Sequence, residues 1–340
     1  MSTLLESTRI SVLDRSRTRE GYDGPQALRD TVALARTAEA LGYHRFWVSE
    51  HHSVPGVAGS APTVLAAAVA AATASIRVGT GGVMLPNHQP LVVAEQFGVL
   101  ASLFPGRIDM GLGRSVGFTD GIRRALGRDK EDARAFGGQL AELLGWMDGT
   151  QRIHPQVHAH PAAGLRVPPY VLAIGEGAEI AAAAGLPLVV GDLRRRDRLM
   201  QAIEGYRSGF RPSAWSPEPH VIVSGTVAVA GTHEEARRLL VPEAWSMALA
   251  RTRGAFPPLS PAERIEGLAM TEKERGLFED GLRGHLAGTE ETVAADLELV
   301  IKETGADELL VTTSTYDREA LVDSMRRLAR IAGLGARGVR

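Results

Sequence analysis

Short apolar runs alternate along the chain with longer stretches whose apolar residues recur at helical spacing. Arg9 to Leu13 reads as a first strand. A helix from about Gln26 to Leu41 keeps Leu28, Val32, Ala35, Ala38 and Leu41 on one face and stops at Gly42. Phe46, Trp47 and Val48 form the core of a second strand. Pro62 opens an Ala-rich helix to about Thr73, and Arg77 to Thr80 is a third strand that ends in Gly81-Gly82. Leu91 to Phe104 is helical, closed by Pro105-Gly106, and Ile108 to Gly113 is the next strand.

The second half keeps the rhythm. Strands are expected at Tyr170–Ile174, Leu188–Val190, His220–Val229 and Glu308–Thr313. Helices are expected at Lys130–Met147, Ala178–Ala184, Leu199–Phe210, Val293–Thr304 and Asp317–Ile331. About eight strand–helix units favour one closed (β/α)8 TIM barrel, an α/β fold spanning residues 1–340, over a doubly wound sheet. Two stretches break the pattern. His154 to Pro169 is an irregular excursion, and Pro242 to Leu286, with Pro257-Pro258 and Pro261, is an insertion before the last strand–helix unit.

Composition narrows the function classes. The chain has 340 residues, 44% hydrophobic and 23% charged, which is ordinary globular material. A net charge of −2 gives no reason to expect nucleic acid or a membrane as partner. No cysteine is present, which excludes disulfides, thiolate metal sites and a cysteine nucleophile. Met1 to Arg9 has no apolar signal core, and Val64 to Thr73 is too short to cross a bilayer, so a cytoplasmic protein is expected.

The chemistry gathers at strand ends. Strand Arg45–Val48 runs into Ser49-Glu50-His51-His52, and ionisable groups at the mouth of a buried strand are costly unless they are used or paired. Ligands of α/β sheets sit beyond the carboxyl ends of strands. A capping cluster around one structural histidine is the bland alternative; Glu-His-His together favours a working site. Gly81 and Gly82 follow the third strand and leave room for a flat ligand. Arg114, after Gly111-Leu112-Gly113, is either a phosphate clamp or a partner of Asp109 or Asp120. Glu50, His51, His52 and His88 are candidate metal ligands, but adjacent histidines on extended chain point apart, so no metal is expected. Gly175-Glu176-Gly177 lacks the third glycine of a dinucleotide fingerprint.

Three segments together resemble the bacterial luciferase-like flavin-dependent monooxygenases, in particular the single-chain members found beside secondary-metabolism enzymes. They are Leu41–His52, Arg77–His88 and Pro105–Arg114, and the likeness covers roughly residues 9–230 and 285–335. The resemblance implies reduced FMN as cosubstrate, delivered by a separate flavin reductase. It also implies molecular oxygen adding at flavin C4a, oxidation of a small organic substrate by the resulting peroxide, and a homodimer. It makes His51 the active-site acid or base, with Glu50 beside it, and sets Gly81 and Gly82 at a cis peptide behind the flavin ring. Arg114 would contact the flavin phosphate, and His52 and His88 would face substrate.

One loop departs from the family. Where relatives carry hydroxyl side chains for the phosphate, this chain has Ala173-Ile174-Gly175-Glu176-Gly177-Ala178. The backbone of Ile174, Gly175 and Gly177 at a helix start can still bind phosphate, while Glu176 opposes it unless Arg114 or Arg194-Arg195-Arg196 neutralises it. Weak FMN affinity is the expectation. Two other readings stay open: a deazaflavin-dependent hydride-transfer enzyme in the same barrel, or an accessory binding protein that has lost flavin.

Overall fold

The computed structural model describes residues 3–191 and 193–335. Its strands follow in the order β1 (Arg9–Asp14), β2 (Arg45–Val48), β3 (Arg77–Thr80), β4 (Val83–Met84) and β5 (Ile108–Gly113). Then come β6 (Pro169–Leu172), β7 (Leu188–Val190), β8 (Val221–Val229), β9 (Leu286–Gly288) and β10 (Glu308–Thr312). All but β4 and β9 form one parallel ring, closed where β10 pairs with both β1 and β8. Parallel neighbours need crossovers, and the helices between strands supply them on the outside. The result is the (β/α)8 barrel the alternation predicts. Short β4 pairs with the end of β5, and β9 pairs with the outer end of β8.

Local chemistry sets the element ends. Asp23 Oδ1 accepts from the Gln26 N–H at 2.7 Å and starts the helix Gly24–Ala40, while Asp317 caps Arg318–Ile331 by accepting from Glu319 and Ala320. The helix expected from Lys130 instead begins as a tight 3₁₀ turn, Glu131–Ala135, before Phe136–Asp148. The reason is a pair of reciprocal caps. Asp129 accepts from the Glu131 and Asp132 N–H groups, and Asp132 accepts from the Asp129 N–H.

The barrel interior is filled in two layers. Trp47, Tyr170, Val189, Ile222 and Leu310 pack together, with the Trp47 and Tyr170 rings edge to face at 5.0 Å. Nearer the strand starts lies a buried ion network. Arg45 donates to both Glu308 oxygens at 2.8 and 2.9 Å, to Asp109 at 2.8 Å and to the Tyr170 hydroxyl at 2.9 Å. Trp47 Nε1 and Arg77 complete the partners of Asp109. This plug shuts the lower end, so the functional end is the opposite one.

The segment between β8 and β9 is mostly helical. Pro242, expected to open an insertion, lies inside a helix of 21 residues, His233–Arg253. Helices Ala262–Glu266 and Glu272–Gly281 follow, and Leu286 begins β9. Val241, Ala244, Trp245, Ala248, Ile265 and Phe278 form a small core of their own. The backbone of Phe256 and Leu259 bonds to Gly56, Thr18 and Glu20, which ties this segment over the loops after β1 and β2. Among the described residues no helix is long and apolar enough to cross a membrane.

Candidate active site

The loops beyond β2, β3 and β5 meet at the open end. Glu50 is 2% exposed and is the centre of a hydrogen-bond cluster. It accepts from His52 Nε2 at 2.8 Å, from His88 Nε2 at 3.0 Å, from the Met84 N–H at 2.9 Å and from Asn87 at 3.3 Å. Burial alone would raise its carboxyl. The His88 and His52 contacts and the Met84 N–H outweigh that and hold it below the ordinary carboxylate range. The ligand atoms of Glu50, His52 and His88 lie within 4.8 Å of one another, which makes them the group among the described residues able to hold a metal ion.

His51 points elsewhere, as alternation on an extended chain requires. Its Nδ1 sits 3.2 Å from Ser49 Oγ, its N–H bonds to the Gly59 carbonyl, and its ring stacks on Phe118 at 6.0 Å. Burial, followed by the positive charges of Arg15 and Arg17, pushes its pKa down to about 4. At neutral pH it is therefore an uncharged imidazole. Both arginines reach one carboxylate, Glu243 of the inserted helix, at 3.0 Å from Arg15 and 3.3 Å from Arg17.

Beside His51 opens a cavity of about 930 Å³, with Arg114, Phe118, Leu172, Ala173, Ile174 and Ser224 in its wall. Its size is within the usual range for small-molecule and cofactor sites. Gly81 and Gly82 are joined by a cis peptide at the top of β3. A Cβ on Gly81 would meet Leu13 at 2.5 Å, and one on Gly82 would meet the Gly111 carbonyl at 2.9 Å, so neither position has room for a side chain. Gly175, with φ +59°, turns the chain into the helix Glu176–Ala184. Gly177 at that helix start lies against Arg114, whose Cδ a Cβ there would meet at 3.2 Å. Arg114 pairs with neither Asp109 nor Asp120. Its Nη2 donates to Glu176 Oε2 at 2.7 Å.

The structure thus joins Glu50, His52 and His88 in one network and puts Arg114 and Ile174 in the wall of a neighbouring cavity, with His51 stacked on its Phe118. Gly175 and Gly177 follow Ile174 at the start of the next helix, outside that lining. Sequence reasoning missed Arg15, Arg17, Phe118 and Glu243. The two arginines stand just past the end of β1, so the strand-end rule that found His51 would also have found them. Glu243 carries no local signal, since only the packing of the inserted helix brings it there.

The luciferase-like monooxygenase family model matches residues 8–308. A luciferase-like monooxygenase of Escherichia coli (strain K12) is 36% identical over 319 residues, covering 93% of this chain and 94% of its own. An N-acetyl-S-alkylcysteine monooxygenase of Bacillus subtilis (strain 168) is 33% identical over 299 residues, with 85% and 87% covered. The crystal structure of apo-MsnO8 superposes with a TM-score of 0.87 at 29% identity over 97% of this chain and 99% of that one. Two more distant structures share the fold. The oxygenating constituent of 3,6-diketocamphane monooxygenase in complex with FMN has a TM-score of 0.72 at 19% identity, covering 96% of this chain and 97% of its own. An F420-dependent secondary alcohol dehydrogenase has 0.68 at 16%, covering 96% and 99%. The chain belongs to the luciferase-like monooxygenase family, and it is an enzyme of that oxidoreductase class.

Proposed function

We propose that this enzyme is an FMN-dependent monooxygenase that uses reduced FMN and molecular oxygen to oxidise a small organic substrate. The observation that carries the reading is the juxtaposition of uncharged His51, stacked on Phe118, with a cavity that has Phe118, Arg114 and Ile174 in its wall. Arg114 and the backbone of Ile174, Gly175 and Gly177 would hold the phosphate, and the Gly81-Gly82 cis peptide would lie behind the ring. Bound reduced FMN supplies the electrons that let oxygen transfer one atom to substrate. His51 contributes proton transfer. Ser49 occupies Nδ1, which leaves Nε2 as the atom that takes or gives a proton. Glu50, through His52, His88 and the Met84 N–H, fixes the loops that carry His51 and the glycine pair. His88 and His52 are half-buried rather than enclosed, so one face of each is open to substrate.

A separate flavin reductase in the cytoplasm would deliver the reduced cofactor. A homodimer would pair through helices Pro62–Ala72 and Pro90–Leu103, which expose Val64, Val99 and Leu103. The test is oxygen uptake with reduced FMN from an added reductase and candidate substrates including N-acetyl-S-alkylcysteines, followed by ¹⁸O₂ labelling of product. Label in the product, lost in His51→Ala, supports the reading. Turnover that needs a deazaflavin and consumes no oxygen overturns it.

A further inference from the structure

A second, smaller cavity of about 140 Å³ opens between the barrel mouth and the inserted helices. Arg15, Arg194 and Arg251 line it, against the carboxylates of Glu243 and Asp280. Ala244, Met247 and Leu277 supply an apolar side. Arg194 is matched by Asp280 at 2.5 Å. Glu243 is shared between Arg15 and Arg17, and Arg251 has no ion-pair partner among the described residues. The lining therefore carries one unmatched positive charge, and Arg17 behind Glu243 adds another.

One donor here is also unused. Arg15 Nε is buried without a hydrogen-bond partner, while Arg15 Nη2 donates to Ser314 and Nη1 pairs with Glu243, whose Oε2 is likewise without a hydrogen bond. Buried guanidinium groups are ordinarily fully bonded, so a donor left open marks a place for an acceptor that arrives with a ligand. The position suits a substrate. Ser224 of β8 lines the large cavity, and Thr226, two residues on and hence on the same face of the strand, lines the small one. Arg15 also borders His51, whose charge state it biases.

We propose that the small cavity is a subsite for an anionic group of the substrate, and that the substrate class is a small carboxylic acid. Its carboxylate would take the open Arg15 Nε–H and the Arg251 guanidinium, and its carbon chain would lie along Met247 and Leu277. This deepens the proposed function and rests on it for the reaction, though the binding site itself does not depend on flavin.

The test is calorimetric titration of the purified full chain, with and without FMN. The probes are hexanoate, 3-phenylpropanoate and N-acetylmethionine, each beside its neutral amide. At least one acid is expected to bind at least about tenfold more tightly than its amide. That preference should shrink at least about fivefold in Arg15→Gln and in Arg251→Ala. The second variant alters an exposed side chain, so it reads the site even where Arg15→Gln disturbs folding. Acids that bind no better than their amides, or a preference that survives both substitutions, overturn the proposal. A preference that holds in a protein without affinity for FMN would count against the flavin reading and leave the anion subsite standing.

Discussion

Arg114 reaches across the wall of the large cavity to Glu176, Nη2 to Oε2 at 2.7 Å. The pair explains how a carboxylate is tolerated where relatives are expected to place a hydroxyl. It also means that the arginine best placed for a phosphate is already engaged. Glu176 is well exposed, so the pair is worth little, about 0–1 kcal/mol, and an incoming dianion can displace it.

Glu176→Ser is therefore expected to tighten FMN by up to about fivefold, by freeing Arg114 and removing a repelling charge. Arg114→Ala should weaken it at least about tenfold through loss of a charge-assisted hydrogen bond. Fluorescence titration of FMN against the three proteins decides. Weaker binding in Glu176→Ser would show that the carboxylate belongs to the site.

His51 gives a pH prediction. Its unfolded pKa is the ordinary 6.5 and its folded one about 4, so below pH 6.5 the unfolded chain takes up a proton that the folded one does not. Its share of stability is present above that pH and is lost as pH falls toward 4. The loss of urea resistance between pH 7 and 4.5 should be shallower in His51→Gln than in the native chain. Because Arg15 and Arg17 help to lower this pKa, Arg15→Gln should raise it, and NMR titration of the His51 ring reads that directly. An unmoved or lower value would separate Arg15 from His51.

Glu50 should matter beyond its own charge. Glu50→Ala leaves His52, His88 and the Met84 N–H without their acceptor, which is expected to cost about 3 kcal/mol of stability and most of the activity. Glu50→Gln keeps the shape and should cost less stability while still slowing turnover. Urea unfolding together with steady-state kinetics distinguishes the two. A fully active Glu50→Ala would remove the cluster from the mechanism.

The barrel and the position of its mouth were legible because they rest on local information. Apolar runs, caps and strand-end residues name Arg9–Leu13, Arg45–Val48 and His51 without any knowledge of tertiary packing. What was hidden depends on distance along the chain. Asp109 read as a neighbour of Arg114, yet it points down into the barrel to Arg45, Trp47 and Arg77. Glu308 read simply as the start of a strand, and register brings it to the same arginine. Pro242 read as the start of an insertion, but tertiary packing of Val241, Ala244 and Trp245 carries a helix through it.

The lower plug has its own consequence. Asp109→Ala leaves Arg45, Trp47 Nε1 and Arg77 short of a partner inside the barrel, and should destabilise the protein by about 3–5 kcal/mol in urea unfolding. Asp109→Asn should cost less. A loss below about 1 kcal/mol in Asp109→Ala would mean that water or Glu308 makes good the deficit.

The central claim is that the mouth beside His51 holds reduced FMN and exposes it to oxygen under the protein's control. Anaerobic titration with reduced FMN, followed by an oxygen pulse monitored through the flavin absorbance, tests it most directly. Saturable binding is expected, with a re-oxidation time course that differs from free FMN and changes again in His51→Ala. No binding, or re-oxidation identical to that of the free cofactor, would contradict it.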